Sequence, residues 1–218
     1  MSHRCIRKCV SVKEDSMTEA AMAHCVTVVS GLPRSGTSMM MRMLVAGGLQ
    51  AIIDGHRPAD DNNPHGYFEY EPAKRLASEA EWIETARGKV VKVIHALLYD
   101  LPRNVPYRIV LMERDLGEVL ASQSTMLDRL GTPSGSLGQA RLSTAIATLQ
   151  MEYEKARTWL FAQPNIRFIE VRYAEVLAAP IIESRRVARF LGGHLDARAM
   201  ASAVDLSLYR SRSLTVKV

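Results

Sequence analysis

Hydrophobic positions along the chain fall into two kinds of pattern. Four short runs are rich in β-branched and other apolar residues, as expected for strands of a parallel sheet covered on both faces. These runs are residues 26–29, 89–94, 107–112 and 166–171. Between them lie segments with apolar residues at steps of three and four. The pattern predicts a single α/β domain with a mostly parallel central sheet flanked by helices.

The same periodicity predicts the helices and one further strand, a short run at residues 49–53. The predicted helices are residues 37–46, 73–86, a segment that begins after Asp115, 139–163 and 174–191. Asp115 is a suitable N-cap, with Glu118 as its reciprocal partner. Pro180 lies one turn into the last helix. The turn-rich residues 131–138 are a candidate mobile loop.

Composition narrows the function classes. The chain has 218 residues, 47% hydrophobic and 23% charged, which indicates a folded domain. The net charge of +5 favours anionic ligands only mildly. No aromatic-rich basic patch indicates a nucleic-acid partner. No apolar run reaches the roughly 18 residues of a membrane span, and no signal peptide is evident, so we expect a cytoplasmic protein without a membrane partner.

The first residues carry no sustained period, so we predict a flexible lead over 1–22 and the α/β domain over 23–218. Cys5, Cys9 and Cys25 are an odd set of thiols, and no second Cys or His pair at ligand spacing follows them. We therefore predict no metal site. Oligomeric state cannot be predicted from these features.

A glycine loop separates the first strand from the first helix. Gly31 and Gly36 have the spacing of an ATP-binding P-loop, but Thr37 stands where that motif has lysine. Such a loop aims backbone N–H groups and a helix dipole at one point, and Arg34 adds a full charge. We expect a phosphate or sulfate group there. A purely structural turn is the alternative.

This loop resembles the 5′-phosphosulfate loop of the sulfotransferase family, P-[KR]-[ST]-G-[TS]-[TS]. The matching residues are Pro33, Arg34, Ser35, Gly36, Thr37 and Ser38. The resemblance implies a P-loop NTPase-like topology, PAPS as the sulfuryl donor and PAP as the product. From His194 onwards the chain lacks the C-terminal segment that covers the 3′-phosphate in the cytosolic enzymes, and Arg210 and Arg212 are the candidates to substitute for it. The chain looks more like a short bacterial-type member of that family.

Two further segments are similar to the family. Arg114 follows the third strand, and Ser122 lies two turns along the next helix. The family's 3′-phosphate site has this form, so the resemblance implies that both residues bind the 3′-phosphate. Tyr173 begins a segment similar to the family's Y-E-D-L, whose Tyr lies near adenine. Packing of this Tyr against a helix is the alternative.

Two kinds of residue are candidates for the general base. His95 lies just past the second strand, and KVIHALLYDLP is similar to the K-T-H-like motif that carries the family's catalytic His. Lys92 precedes His95 by three residues, which alternation puts on the other strand face, so we assign Lys92 no role. A carboxylate of the long loop 54–72, a predicted wall or lid of the acceptor pocket, is the alternative base. The candidates are Asp54, Asp60, Asp61, Glu69 and Glu71.

Taken together, the sequence predicts transfer of a sulfuryl group from PAPS to a hydroxyl or amine of a small acceptor, with Arg34 and His95 as catalytic residues. One alternative is a P-loop kinase or NTPase variant, in which Glu113 would hold Mg²⁺ and a lysine would come from elsewhere. The other is a non-catalytic module that binds PAP. The acceptor itself cannot be identified from the sequence.

Overall fold

A computed structural model describes residues 22–60, 63–129 and 139–208. The four predicted strands form one parallel sheet in the order β2-β1-β3-β4. The strands are β1 (Val26–Gly31), β2 (Val90–Lys92), β3 (Tyr107–Glu113) and β4 (Ile166–Arg172). Strands β1 and β3 are central, and every residue of β1 is buried, which explains why these runs are continuously apolar.

Six α-helices accompany the sheet in the described residues. They are α1 (Thr37–Ala46), α2 (Leu116–Arg129), α3 (Gln139–Ala162), α4 (Tyr173–Ala178), α5 (Pro180–Phe190) and α6 (Ala197–Ser202). Short 3₁₀ turns cover Glu71–Arg75, Glu81–Ala86, His95–Asp100 and Leu206–Leu208. None of the helices within the described residues is both long enough and apolar enough to span a membrane.

The strand order places a topological switch point between β1 and β3. The chain leaves β1 for β2 on one side, then crosses over β1 to enter the sheet again at β3. All strands are parallel, so their carboxyl ends share one edge of the sheet. The connections that leave β1 and β3 diverge at this edge and open a crevice, which is where ligands bind in open α/β sheets.

Three sequence predictions of secondary structure are wrong. Residues 73–86 are not a helix but two 3₁₀ turns, because the Ser78 hydroxyl donates to the Arg75 carbonyl at 3.2 Å and competes with helix continuation. The predicted helix 174–191 is broken at Ala179, which Pro180 keeps out of the helical region, so Pro180 starts α5. The predicted strand 49–53 is only a bridge between Ala51 and Val90.

Two predicted segments lie largely or wholly outside the described residues. The N-terminal lead is described only at Met22, which is buried in the core. The candidate mobile loop 131–138 falls in one of the gaps.

Candidate active site

The loop between β1 and α1 lies at the crevice. Arg34 and Gly36 both have left-handed backbone conformations, with φ of 74° and 101°. Glycine is needed at position 36 for a second reason, since a Cβ there would lie 2.5 Å from Cδ2 of Tyr173. Arg34 adopts the same region without that freedom, which is a conformation typical of ligand-binding loops. Helix α1 begins at Thr37, as predicted.

Hydrogen bonds join this loop to helix α2. The Arg34 Nε donates to Ser122 Oγ at 3.0 Å, and Arg114 Nη1 donates to the Arg34 carbonyl at 3.1 Å. Gln123 Nε2 donates to the Pro33 carbonyl at 3.1 Å. The two motifs singled out in the sequence, eighty residues apart, therefore form one connected unit.

Arg114 is held from several directions. Its Nε donates to the buried Glu118 carboxylate at 3.0 Å, and its Cζ lies 4.4 Å from the centre of the Tyr173 ring. The backbone N–H of Glu118 donates to Asp115 Oδ1 at 3.0 Å, which confirms the predicted cap of this helix. Because helix, carboxylate and ring all fix the guanidinium, little reorganisation is needed when an anion binds.

A cavity of about 550 Å³ lies at this edge of the sheet. It is lined by most of the predicted donor-site residues, namely Pro33, Arg34, Gly36, Thr37, Ser38, Arg114, Ser122 and Tyr173. Ser35 is the exception, because its buried side chain lies against Gly31 and borders a different cavity. Burial in this region lowers the pKa of Arg34 and raises that of Tyr173.

His95 is not brought to this cavity. It opens a 3₁₀ turn after β2, is buried, and its Nε2 lies 3.3 Å from Glu152 Oε2 of α3. Its neighbours Ile94 and Leu97 line the cavity, but His95 does not. As a catalytic base, His95 therefore stays a prediction that this geometry does not favour.

Lys92 lies in the cavity instead. No role was assigned to Lys92 from the sequence, yet Lys92 is the one of this pair that lines the cavity. The Lys92 ammonium donates to the Tyr67 carbonyl, and its Nζ lies 3.7 Å from Glu69 Oε1. Burial lowers the pKa of Lys92 to about 8, despite the opposing charge of Glu69.

Of the predicted loop carboxylates that the structure describes, only Glu69 lines the cavity. Asp54 accepts backbone N–H groups of His56 and Glu71, and Asp60 accepts the Tyr67 hydroxyl at 2.8 Å. Glu71 pairs with Lys74 at 2.8 Å. Asp61 lies outside the described residues. The structure thus separates candidates that spacing alone could not.

Three cations surround Glu69. Arg57 Nη1 lies 3.0 Å from its Oε1, and Lys74 Nζ lies 3.2 Å from its Oε2. Lys92 Nζ approaches Oε1, the oxygen that Arg57 also contacts. Burial acts to raise the pKa of Glu69, but these charges and hydrogen bonds outweigh it, so the pKa lies below its ordinary value. The carboxylate is therefore ionised at neutral pH.

The long loop forms one wall of the cavity, through Tyr67 and Tyr70 among others. The Arg57 guanidinium lies over the Tyr67 ring at 3.4 Å, and Ser38 Oγ donates to the Tyr67 carbonyl at 3.3 Å. His65 pairs with Asp205 at 2.9 Å and so links the loop to the segment after α6. Arg57, His65 and Asp205 were not identified from the sequence, because no motif marks them. Arg210 and Arg212 lie outside the described residues.

Comparisons with known proteins give a family match and a structural similarity. Residues 106–197 match the model of the sulfotransferase family. No curated protein matches the chain. Among solved structures the chain is similar to a sulfotransferase domain from the curacin biosynthetic pathway, with 15% identity and a TM-score of 0.44 over 77% of this chain and 73% of that one. The family match runs from the start of β3 to just beyond the end of α5 and covers less than half of the chain.

Proposed function

We propose that the protein transfers a sulfuryl group from PAPS to a hydroxyl or amine of a small acceptor. The observation that carries this proposal is the connected unit of Arg34, Ser122 and Arg114 at the rim of one cavity. A loop for a 5′-phosphosulfate and an arginine for a 3′-phosphate are useful together only if one ligand spans both. The hydrogen bonds between them fix that spacing.

The charge of the cavity suits such a donor. Among the described residues that line it, six Lys and Arg side chains face two carboxylates, Glu69 and Asp205. An adenosine nucleotide that carries a 3′-phosphate and a 5′-phosphosulfate needs this excess of positive charge. The donor side of the cavity, defined as Arg34, Thr37, Ser38, Arg114, Ser122 and Tyr173, would hold it. Tyr173 is assigned to the adenine.

The acceptor side comprises Arg57, Glu69, Tyr70, Lys74 and Lys92. We assign Glu69 as the base that takes the proton of the acceptor hydroxyl, because it is an ionised carboxylate in this cavity. As the acceptor oxygen bonds to sulfur, the bond between sulfur and the phosphate oxygen breaks. Arg34 and Lys92 stabilise the negative charge that then develops on the phosphate.

A kinase-like activity finds partial support. Lys92 supplies a lysine in the cavity, as that alternative requires. Glu113, however, pairs with Arg172 at 3.2 Å and borders the second cavity, which has a volume of about 460 Å³. Glu113 does not line the cavity that contains Arg34, Ser122 and Lys92, so we favour sulfuryl transfer.

The test is transfer of sulfur-35 from labelled PAPS to a panel of hydroxyl and amine acceptors, with phosphate release from ATP and Mg²⁺ measured in parallel. We expect labelled product that depends on Arg34 and Arg114, and no loss in Arg75→Ala, a cation whose ion pair with Glu79 lies outside the cavity. Turnover of ATP without transfer of sulfur would replace this proposal with the kinase. Binding of PAP without either reaction would favour the non-catalytic module.

A further inference from the structure

The acceptor side holds more positive charge than its own carboxylates neutralise. Arg57, Lys74 and Lys92 all contact Glu69. Lys74 has a second partner, Glu71. Three cations therefore share two carboxylates, which leaves one positive charge in excess.

Arg57 carries that excess. Its Nη1 donates to Glu69 at 3.0 Å, but its Nε and Nη2 make no hydrogen bond to any residue that the structure describes. The guanidinium lies over the Tyr67 ring, with its Cζ 3.4 Å from the ring centre. Asp60 accepts the hydroxyl of that same tyrosine and does not line the cavity. Arg57 thus offers an oriented set of donors in a cavity wall.

A guanidinium fork of this kind matches a carboxylate or phosphate, which accepts two of its N–H groups at once. The contact with Tyr67 restrains the guanidinium, so less entropy is lost when an anion binds. Burial of Lys92 strengthens the preference, because a desolvated ammonium beside the acceptor disfavours a cationic group there.

We infer that the natural acceptor is an anionic hydroxyl compound, whose carboxylate or phosphate is bound by Arg57 while Glu69 takes the hydroxyl proton. This inference rests on the proposed function. Because Arg57 already contacts Glu69, the anionic group would lie within roughly 10 Å of the reacting oxygen, judged from ordinary hydrogen-bond lengths. A small acceptor that carries its charge near the hydroxyl can therefore reach both residues.

The experiment compares acceptors that differ only in charge. One set is 3-hydroxybenzoate, 3-hydroxybenzamide and 3-hydroxybenzylamine, and another is glucuronate, glucose and glucosamine, each with sulfur-35 PAPS. We expect kcat/KM to be at least about tenfold higher for the anion than for its neutral partner, as one charge-assisted fork provides. In Arg57→Gln the ratio should fall to within about twofold, whereas Arg75→Gln should keep it.

The ratio is the informative quantity, because Arg57 also contacts the proposed base. If Arg57→Gln only disturbed Glu69 as the base, all acceptors would slow by the same factor and the ratio would not change. Equal use of neutral and anionic acceptors, or a preference that survives Arg57→Gln, would overturn the inference. So would hydrolysis of PAPS by water with no sulfated acceptor in either set. Weaker binding of PAP to Arg57→Gln would instead assign Arg57 to the donor. Failure of the wild-type protein to bind PAP would refute the proposed function itself.

Discussion

The two sides of the cavity are built from different parts of the chain. Arg34 and Arg114, on the donor side, each lie one to three residues beyond a central strand, and α2 fixes both. On the acceptor side, Glu69 and Arg57 lie on a long loop, where ion pairs with Lys74 and Lys92 replace regular backbone pairing. The fold thus positions the donor side, whereas ion pairs between side chains position the acceptor side. Substitutions on the two sides should therefore change different measured properties of the protein.

The largest effect is expected on the acceptor side, where Glu69→Gln removes the proposed base. Turnover should fall by about 10²–10⁴-fold, the usual contribution of a positioned base. Binding of PAP should change little, since Glu69 is not part of the donor side. The matched variant is His95→Gln. If steady-state kinetics show the larger loss of turnover in His95→Gln, His95 is the base, as predicted from the sequence, and Glu69 is not.

On the donor side, Arg34→Ala should lower turnover by about 10²-fold or more, the size of one preorganised donor to a developing charge. It should also weaken PAP binding, because Arg34 holds Ser122 in place. Gln123→Ala breaks another contact between loop and helix without removing a charge, and it is the control. Unchanged turnover in Arg34→Ala would exclude Arg34 from catalysis.

Lys92 links the two sides and should give the reaction an alkaline limit. The charged form prevails below its pKa of about 8 and is lost above it. If the ammonium stabilises the leaving phosphate, kcat/KM should fall about tenfold per pH unit well above pH 8. Lys92→Arg retains its charge, so its profile should stay flat to higher pH. An identical alkaline limb in both proteins would assign the pKa to another group.

The smallest effect concerns the backbone rather than chemistry. Gly36→Ala should destabilise the fold by about 1–3 kcal/mol, from its left-handed conformation and the collision with Tyr173. Gly193→Ala shares the positive φ of 82° but has open space around the added Cβ. Urea unfolding midpoints compare the two directly. Equal losses would show that contact with Tyr173 does not constrain the loop.

The same contrast explains what could be predicted from sequence. The four strands and the donor side follow from β-branched runs and from residues at fixed offsets after strand ends, so local patterns locate Arg34 and Arg114. The residues of the acceptor side follow no such fixed offset from a strand end. The choice among Asp54, Asp60, Glu69 and Glu71 depends on how the long loop folds back on β2. The loop has no hydrophobic period that would predict this. Lys92 shows the limit most clearly, since alternation gives two faces of a strand but not which of them lines the cavity.

The central claim is that one ligand spans the connected unit of Arg34, Ser122 and Arg114. Calorimetric titration with PAP, and with ADP as the analogue that lacks the 3′-phosphate, tests it most directly. We predict micromolar binding of PAP, binding of ADP at least tenfold weaker, and loss of that preference in Arg114→Ala. Equal affinity for PAP and ADP in the wild-type protein, or a preference for PAP that Arg114→Ala leaves intact, would contradict it.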